Sequence, residues 1–268
     1  MSIPFPSRVE LNGRAVAAAD LVPLAAHGYG HFTTMQVRAG AVRGLGLHLE
    51  RLATATEALF ARPLDLDATR RWMQQALGGV CESCTLRVTV FARGFDRRHP
   101  ERPAEPDVLV ATAPPVPAGP PLRVRAVPCL RELPEIKHLG TFPVLHQLRE
   151  ARQAGFDDIL LVDEAGCVAE GSFWNVCFVQ SGRVLWPDAP ALPGVTARLV
   201  EAGLAQAGVA SVHRAVALRA LSMFDAAFAV NAGGIRPLVR VDEVELPLDT
   251  AWHRRLLSAL EAAPAEII

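Results

Sequence analysis

Lys137 is the only lysine among the 27 lysine and arginine residues of this 268-residue chain, so the other 26 cationic side chains are arginines. Where a positive charge alone suffices, the chain uses arginine. An ε-amine can shed its proton, attack a carbonyl and form an imine; a guanidinium does none of these. The surrounding Leu133-Pro134-Glu135-Ile136-Lys137-His138-Leu139-Gly140 has apolar residues on both sides of the lysine and reads as a partly buried segment. Desolvation lowers a lysine pKa and sharpens it as nucleophile and base. The competing reading is one lysine left by chance on a solvated loop.

A Schiff-base lysine most often serves pyridoxal 5′-phosphate (PLP), whose ring and phosphate need partners of their own. The pyridine nitrogen requires an acidic partner to stay protonated. Glu170 in Val168-Ala169-Glu170-Gly171-Ser172-Phe173-Trp174-Asn175 is the candidate, with Gly171 leaving room for close approach; the bland alternative is a turn glutamate facing solvent. The phosphate requires donors. Leu192-Pro193-Gly194-Val195-Thr196 precedes a helix and aims the Val195 and Thr196 amides, with the Thr196 hydroxyl, at an anion. Arg51 in His48-Leu49-Glu50-Arg51-Leu52 is a candidate guanidinium fork for the same group.

The elements that must position these residues divide at Pro114-Pro115-Val116-Pro117-Ala118-Gly119-Pro120-Pro121, where five prolines and a glycine in eight residues exclude helix and central strand. This predicts a small N-terminal lobe (1–113), a stiff linker (114–121) and a larger C-terminal lobe (122–268). The first lobe holds a strand at Arg8–Leu11, a turn at Asn12-Gly13, a hairpin of Phe32–Arg38 and Ala41–Leu45, helices at His48–Phe60 and Leu64–Leu77, and strands at Thr85–Phe91 and Asp107–Ala113. Asp67 and Thr69 are available near the start of the second helix. The second lobe holds strands at Leu122–Val127, Ile159–Asp163, Phe173–Gln180, Val184–Trp186, Phe228–Asn231 and Val239–Val241. Its helices are Thr141–Gln153, the stretch from Gly194 to Ala207, and Ala251–Ala262. Short strands mixed with helices in each lobe indicate an α+β fold class.

Bulk properties exclude other classes. The net charge of −1 and pI near 6.7 give no electrostatic case for nucleic acid or an anionic membrane. No apolar run reaches the roughly 18 residues a membrane helix needs, and no signal peptide is visible, so a cytoplasmic protein is expected. Five cysteines, an odd number, read as free thiols. The Cys81-Glu82-Ser83-Cys84 spacing lacks a second pair for zinc and feeds a strand, so it reads as structural and no metal is expected.

Five segments together resemble the class-IV aminotransferases, PLP enzymes of fold type IV that include branched-chain and D-amino acid aminotransferases and aminodeoxychorismate lyase. They are His48-Leu49-Glu50-Arg51-Leu52, Ile136-Lys137-His138-Leu139, Glu170-Gly171-Ser172-Phe173-Trp174-Asn175, Leu192-Pro193-Gly194-Val195-Thr196 and Asn231-Ala232-Gly233-Gly234-Ile235-Arg236-Pro237. The resemblance implies a two-lobe fold with the cofactor in the interdomain cleft and a homodimer completing the site. It implies that Lys137 binds PLP and shuttles the substrate proton, that Glu170 pairs with the ring nitrogen, and that Arg51, Val195, Thr196, Asn231 and Ala232 hold the phosphate. It also places Tyr29, His31 and Thr33 on the substrate side. The chain departs from the family pattern at Tyr29, where many members carry aspartate, at Gly140, where many carry asparagine, and at Ala197, which separates Thr196 from Arg198.

For the substrate carboxylate, the loop Arg93-Gly94-Phe95-Asp96-Arg97-Arg98 offers Arg93 and Arg97, and Arg236 is a further candidate. Transamination between an amino acid and a 2-keto acid is expected as the family's commoner activity. Phe32-Thr33-Thr34 and Ile136-Lys137-His138-Leu139 resemble the lyase subgroup, which releases pyruvate and 4-aminobenzoate; Gly140-Thr141 departs from it. A non-catalytic PLP-binding protein that kept the fold is the reading from another class.

Overall fold

A computed structural model describes residues 7–78, 83–117 and 119–268. Contacts divide the chain into two compact units: residues 1–116, 136–140 and 265–268 form the first, and residues 117–135 and 141–264 the second. The short segment carrying Lys137 therefore packs with the N-terminal unit.

The first unit begins with β1 (Arg8–Leu11) and β2 (Arg14–Ala15). Asn12 and Gly13 between them both have positive φ, 49° and 73°, the geometry of a tight hairpin turn that asparagine and glycine tolerate. Then come α1 (Val22–His27), β3 (Gly30–Arg38), β4 (Ala41–Arg43), α2 (Leu45–Phe60), α3 (Leu66–Leu77), β5 (Ser83–Phe91) and β6 (Asp107–Ala113). The cap of α3 is Asp65, whose carboxylate accepts from the Ala68 amide at 2.8 Å, rather than Asp67 or Thr69. Helices α2 and α3 bury Leu52, Phe60 and Met73 against Met35, Val37, Val88 and Val90 of the sheet.

The second unit contains β7 (Leu122–Pro128), α4 (Phe142–Gln153), β8 (Asp158–Val162), β9 (Val168–Gly171), β10 (Asn175–Gln180) and β11 (Arg183–Pro187). It continues with α5 (Val195–Gln206), β12 (Ser211–Arg214), β13 (Ala226–Asn231), β14 (Gly234–Val241), β15 (Val244–Glu245) and α6 (Thr250–Glu261). Among the described residues its sheet runs β12-β11-β10-β13-β14-β7-β8-β9, with β15 paired to β14. Both faces are covered. In β10, Val176 and Phe178 enter one core, while Cys177 and Val179 enter a second beneath α5 and α6. This accounts for an apolar run without polar alternation.

A last strand, β16 (Ala265–Ile267), returns to the first unit and pairs antiparallel with β4. The sheet there runs β16-β4-β3-β5-β6-β1-β2. Because β4 pairs with β3 only at Arg38↔Ala41, the opening half of β3 offers an edge that β4 does not use.

Candidate functional site

That edge is taken by the lysine segment. Phe32 donates its amide to the Lys137 carbonyl at 2.9 Å, Leu139 donates to the Gly30 carbonyl at 2.9 Å, and His31 and His138 form an antiparallel bridge. Gly30 admits this pairing closely: a Cβ there would lie 2.5 Å from the Val90 carbonyl and 3.0 Å from the Leu139 side chain. Lys137 is half-buried, as its apolar neighbours predict, and its Nζ lies 4.9 Å from the centre of the Phe32 ring.

Side-chain alternation along β3 sorts the substrate-side candidates. His31 and Thr33 turn toward α2 and are fully buried. The His31 ring is 2.9 Å from the Thr56 hydroxyl, and the Thr33 hydroxyl is 2.6 Å from His48 Nδ1. Burial pushes His31 down to about 4, and burial together with the charges of Arg51 and Lys137 pushes His48 down to about 3. Arg51 stands one helical turn after His48 on α2. Tyr29 stacks on Phe95 at 4.4 Å and donates its hydroxyl to the Leu59 carbonyl at 3.1 Å; burial raises its pKa.

Phe32, on the other side of the strand's alternation, carries a second cation. The Arg87 guanidinium from β5 lies 3.6 Å from its ring centre. Burial pulls Arg87 down to about 10, and among the described residues no carboxylate pairs with it. Sequence reasoning missed Arg87, since nothing in Leu86-Arg87-Val88 distinguishes it from the other arginines. The three arginines expected to meet substrate sit in different surroundings. Arg93 binds Asp20 at 2.8 Å and Asp107 at 2.9 Å. Arg236 donates to the Pro120 carbonyl at 2.9 and 2.6 Å, holding the proline-rich connector. Arg97 is exposed.

The second unit gathers the remaining candidates. Glu170 lies on β9, 5% exposed, and is not a solvent-facing turn residue. Its Oε1 accepts from Arg131 Nε at 2.8 Å and its Oε2 from the Leu192 amide at 3.2 Å. Asn175 donates to the Leu192 carbonyl at 2.8 Å. Leu192 is thus held through both its amide and its carbonyl, which fixes the turn leading into α5. No side chain caps α5 at Gly194, and Val195 and Thr196 in its first turn are buried. Asn231 ends β13 beside the start of β10, donates to the Phe173 carbonyl at 3.2 Å and accepts from the Gly233 amide at 2.8 Å; Ala232 follows it in this turn. Gly171 has a different reason from the one expected. A Cβ there would lie 2.0 Å from the Trp174 indole, so the room it leaves is filled by Trp174.

This donor set suits PLP: a buried carboxylate for the ring nitrogen, and a helix N-terminus without a side-chain cap for a dianionic phosphate. Residues 30–241 match the family described as amino-transferase class IV.

The chain belongs to the class IV aminotransferase family.

A probable branched-chain-amino-acid aminotransferase of Synechocystis sp. is 28% identical over 116 residues, which is 42% of this chain and 38% of that protein. The aligned stretch thus spans well under half of that protein. A hypothetical aminotransferase of Mycobacterium tuberculosis, in its PLP-bound form, superposes with a TM-score of 0.80 at 21% identity, covering 95% of this chain and 98% of that one. A putative 4-amino-4-deoxychorismate lyase of Legionella pneumophila superposes with a TM-score of 0.80 at 19% identity, covering 93% and 96%. The two-sheet α+β architecture is that of fold type IV. Among the described residues no cluster of three or more His, Cys, Asp or Glu could hold a metal, and no helix is long and apolar enough to cross a membrane. Among the described residues Cys129, Cys167 and Cys177 are free thiols, and Cys81 lies outside the described residues.

Proposed function

We propose that this chain is a PLP-dependent aminotransferase that exchanges an amino group between an amino acid and a 2-keto acid. The observation that carries the reading is the pair of cations on Phe32. One is the sole lysine, and the other is a partly buried arginine without a carboxylate partner among the described residues. A desolvated cation lacking a counter-ion favours an incoming anion, and an amino acid brings a carboxylate. When bound, PLP supplies an aldehyde that takes amines covalently and a ring that accepts the electron pair left on the substrate α-carbon.

In this reading Lys137 offers the amine for the cofactor and moves the proton at the substrate α-carbon. Arg87 orients the substrate carboxylate. Glu170 holds the proton on the ring nitrogen, and Arg51, Val195, Thr196, Asn231 and Ala232 bind the phosphate. We further propose that the enzyme is cytoplasmic and works as a homodimer, which sedimentation at micromolar concentration tests: a fully active monomer would rule out the dimer requirement.

Phe32-Thr33-Thr34 supports a second reading, aminodeoxychorismate lyase. A paired assay decides between them. Keto acid formation from a panel of L- and D-amino acids supports transamination, and 4-aminobenzoate release from aminodeoxychorismate supports the lyase. Activity in neither assay from the cofactor-loaded protein would leave a non-catalytic PLP binder.

A further inference from the structure

Arg131 stands in the turn between β7 and α4, and its side chain is only 12% exposed. The guanidinium joins two groups. Its Nε donates to Glu170 Oε1 at 2.8 Å, and one terminal nitrogen donates to the Pro134 carbonyl at 2.6 Å. The turn so closed is a costly one. Leu133 has φ of 46°, a left-handed conformation for a branched residue that directly precedes proline. A side chain that bonds across this turn offsets part of that cost.

The carboxylate end matters more. A buried carboxylate left without a counter-charge is costly, and one that can rotate presents no fixed acceptor direction. Arg131 on Oε1 and the Leu192 amide on Oε2 hold both oxygens. The same Leu192 leads into the first turn of α5. The acceptor for the ring nitrogen and the anion-binding turn thus share one hydrogen-bonded assembly, and Arg131 is its charged member. Its planar fork serves two acceptors at once, which an ammonium at the end of a flexible stem does less well.

We propose that Arg131 is a positioning residue for the cofactor: it supplies the counter-charge of Glu170 and fixes the direction in which that carboxylate meets the ring nitrogen. This rests on the reading of Glu170 given above. It adds a residue that contacts the cofactor only through another side chain.

The test is a double-mutant cycle on the full-length protein with Arg131→Met, Glu170→Gln and the combination. Two quantities are read: the PLP dissociation constant from tryptophan fluorescence, and the pH at which the bound cofactor's absorption titrates. Arg131→Met alone is expected to weaken PLP about 10-fold and to shift the titration, the loss of one charge-assisted hydrogen bond. In the Glu170→Gln background the same change should matter less than about 2-fold, because the group it acts through is gone. Equal effects in both backgrounds, or no shift in the titration, would overturn the proposal and leave Arg131 a turn-closing residue. An unaltered titration in Glu170→Gln itself would overturn the reading of Glu170 and this inference with it. Arg131→Lys keeps the charge and guards against misfolding; it should fall between wild type and Arg131→Met, and wild-type values for it would argue against the fork.

Discussion

Phe32 holds Lys137 twice, by its amide on the Lys137 carbonyl at 2.9 Å and by its ring 4.9 Å from Nζ. A reactive lysine on a long flexible stem would lose rotamer freedom each time it met its target. Anchoring its backbone to a strand edge and placing its ammonium over an aromatic ring removes part of that cost beforehand.

Replacing Lys137 by arginine keeps the charge and removes the imine chemistry. Turnover should vanish while the fold persists. In the wild-type protein, borohydride reduction with PLP should leave a label that mass spectrometry finds only on Lys137, the single lysine. Label on another side chain would end the assignment.

Arg87→Met should raise KM for an amino acid substrate by about 10-fold or more, the value of one charge-assisted contact to a carboxylate. PLP affinity should stay at the wild-type level. Arg93→Met should instead lower thermal stability, since Arg93 is engaged by Asp20 and Asp107. If Arg87→Met leaves KM untouched, the substrate carboxylate binds elsewhere.

Arg51→Ala should weaken PLP binding by about 10- to 100-fold through lost charge-assisted hydrogen bonds to the phosphate. Measuring PLP release by dialysis at two phosphate concentrations checks the assignment, because inorganic phosphate should compete less well in the variant.

His31 and His48 set a pH dependence. Their folded pKa values, about 4 and about 3, lie below the ordinary 6.5. Between these values the unfolded chain binds more protons than the folded one, so stability is full above pH 6.5 and falls as the pH drops toward 4 and then 3. Each histidine adds a slope of up to about 1.4 kcal/mol per pH unit in this window. Urea unfolding at pH 7.5, 6, 5 and 4 should show the decline, and His48→Gln should flatten it. An equal slope in that variant would show that other groups carry the effect.

Gly171→Ala should destabilise the second unit by about 1–3 kcal/mol through overpacking against Trp174. The environment of that indole should change with it, visible as altered tryptophan emission. Unchanged stability would mean that the indole moves aside at no cost.

Much of this was legible in the sequence. Strong apolar runs located β1, β6 and most of α2, α3, α5 and α6 to within a few residues. The short β9 was missed because Val168-Ala169-Glu170-Gly171 has a buried charge and a glycine, both of which read as a turn. Helix α1 is six residues with Pro23 in its first turn, too short for periodicity to register. Edge strands β12 and β16 owe their existence to neighbours distant in sequence. Arg87 and Arg131 could not be singled out among 26 arginines, because what distinguishes them is the absence or presence of a counter-ion in three dimensions. The ion pairs of Arg93 with Asp20 and Asp107 were hidden for the same reason.

Strand β16 has a consequence for the order in which the molecule is made. Residues 265–268 belong to the first unit, yet they leave the ribosome after all of the second. Ile268 is buried in the first unit's core at 4% exposure, and the lysine segment at 136–140 is also delivered late. A nascent chain ending near residue 116 therefore displays the outer edge of β4 and the opening half of β3 with their backbone groups unpaired. Exposed strand edges invite pairing with other chains. The N-terminal unit thus has its longest period of vulnerability during translation, and a fragment ending at residue 116 should aggregate where the 268-residue chain does not.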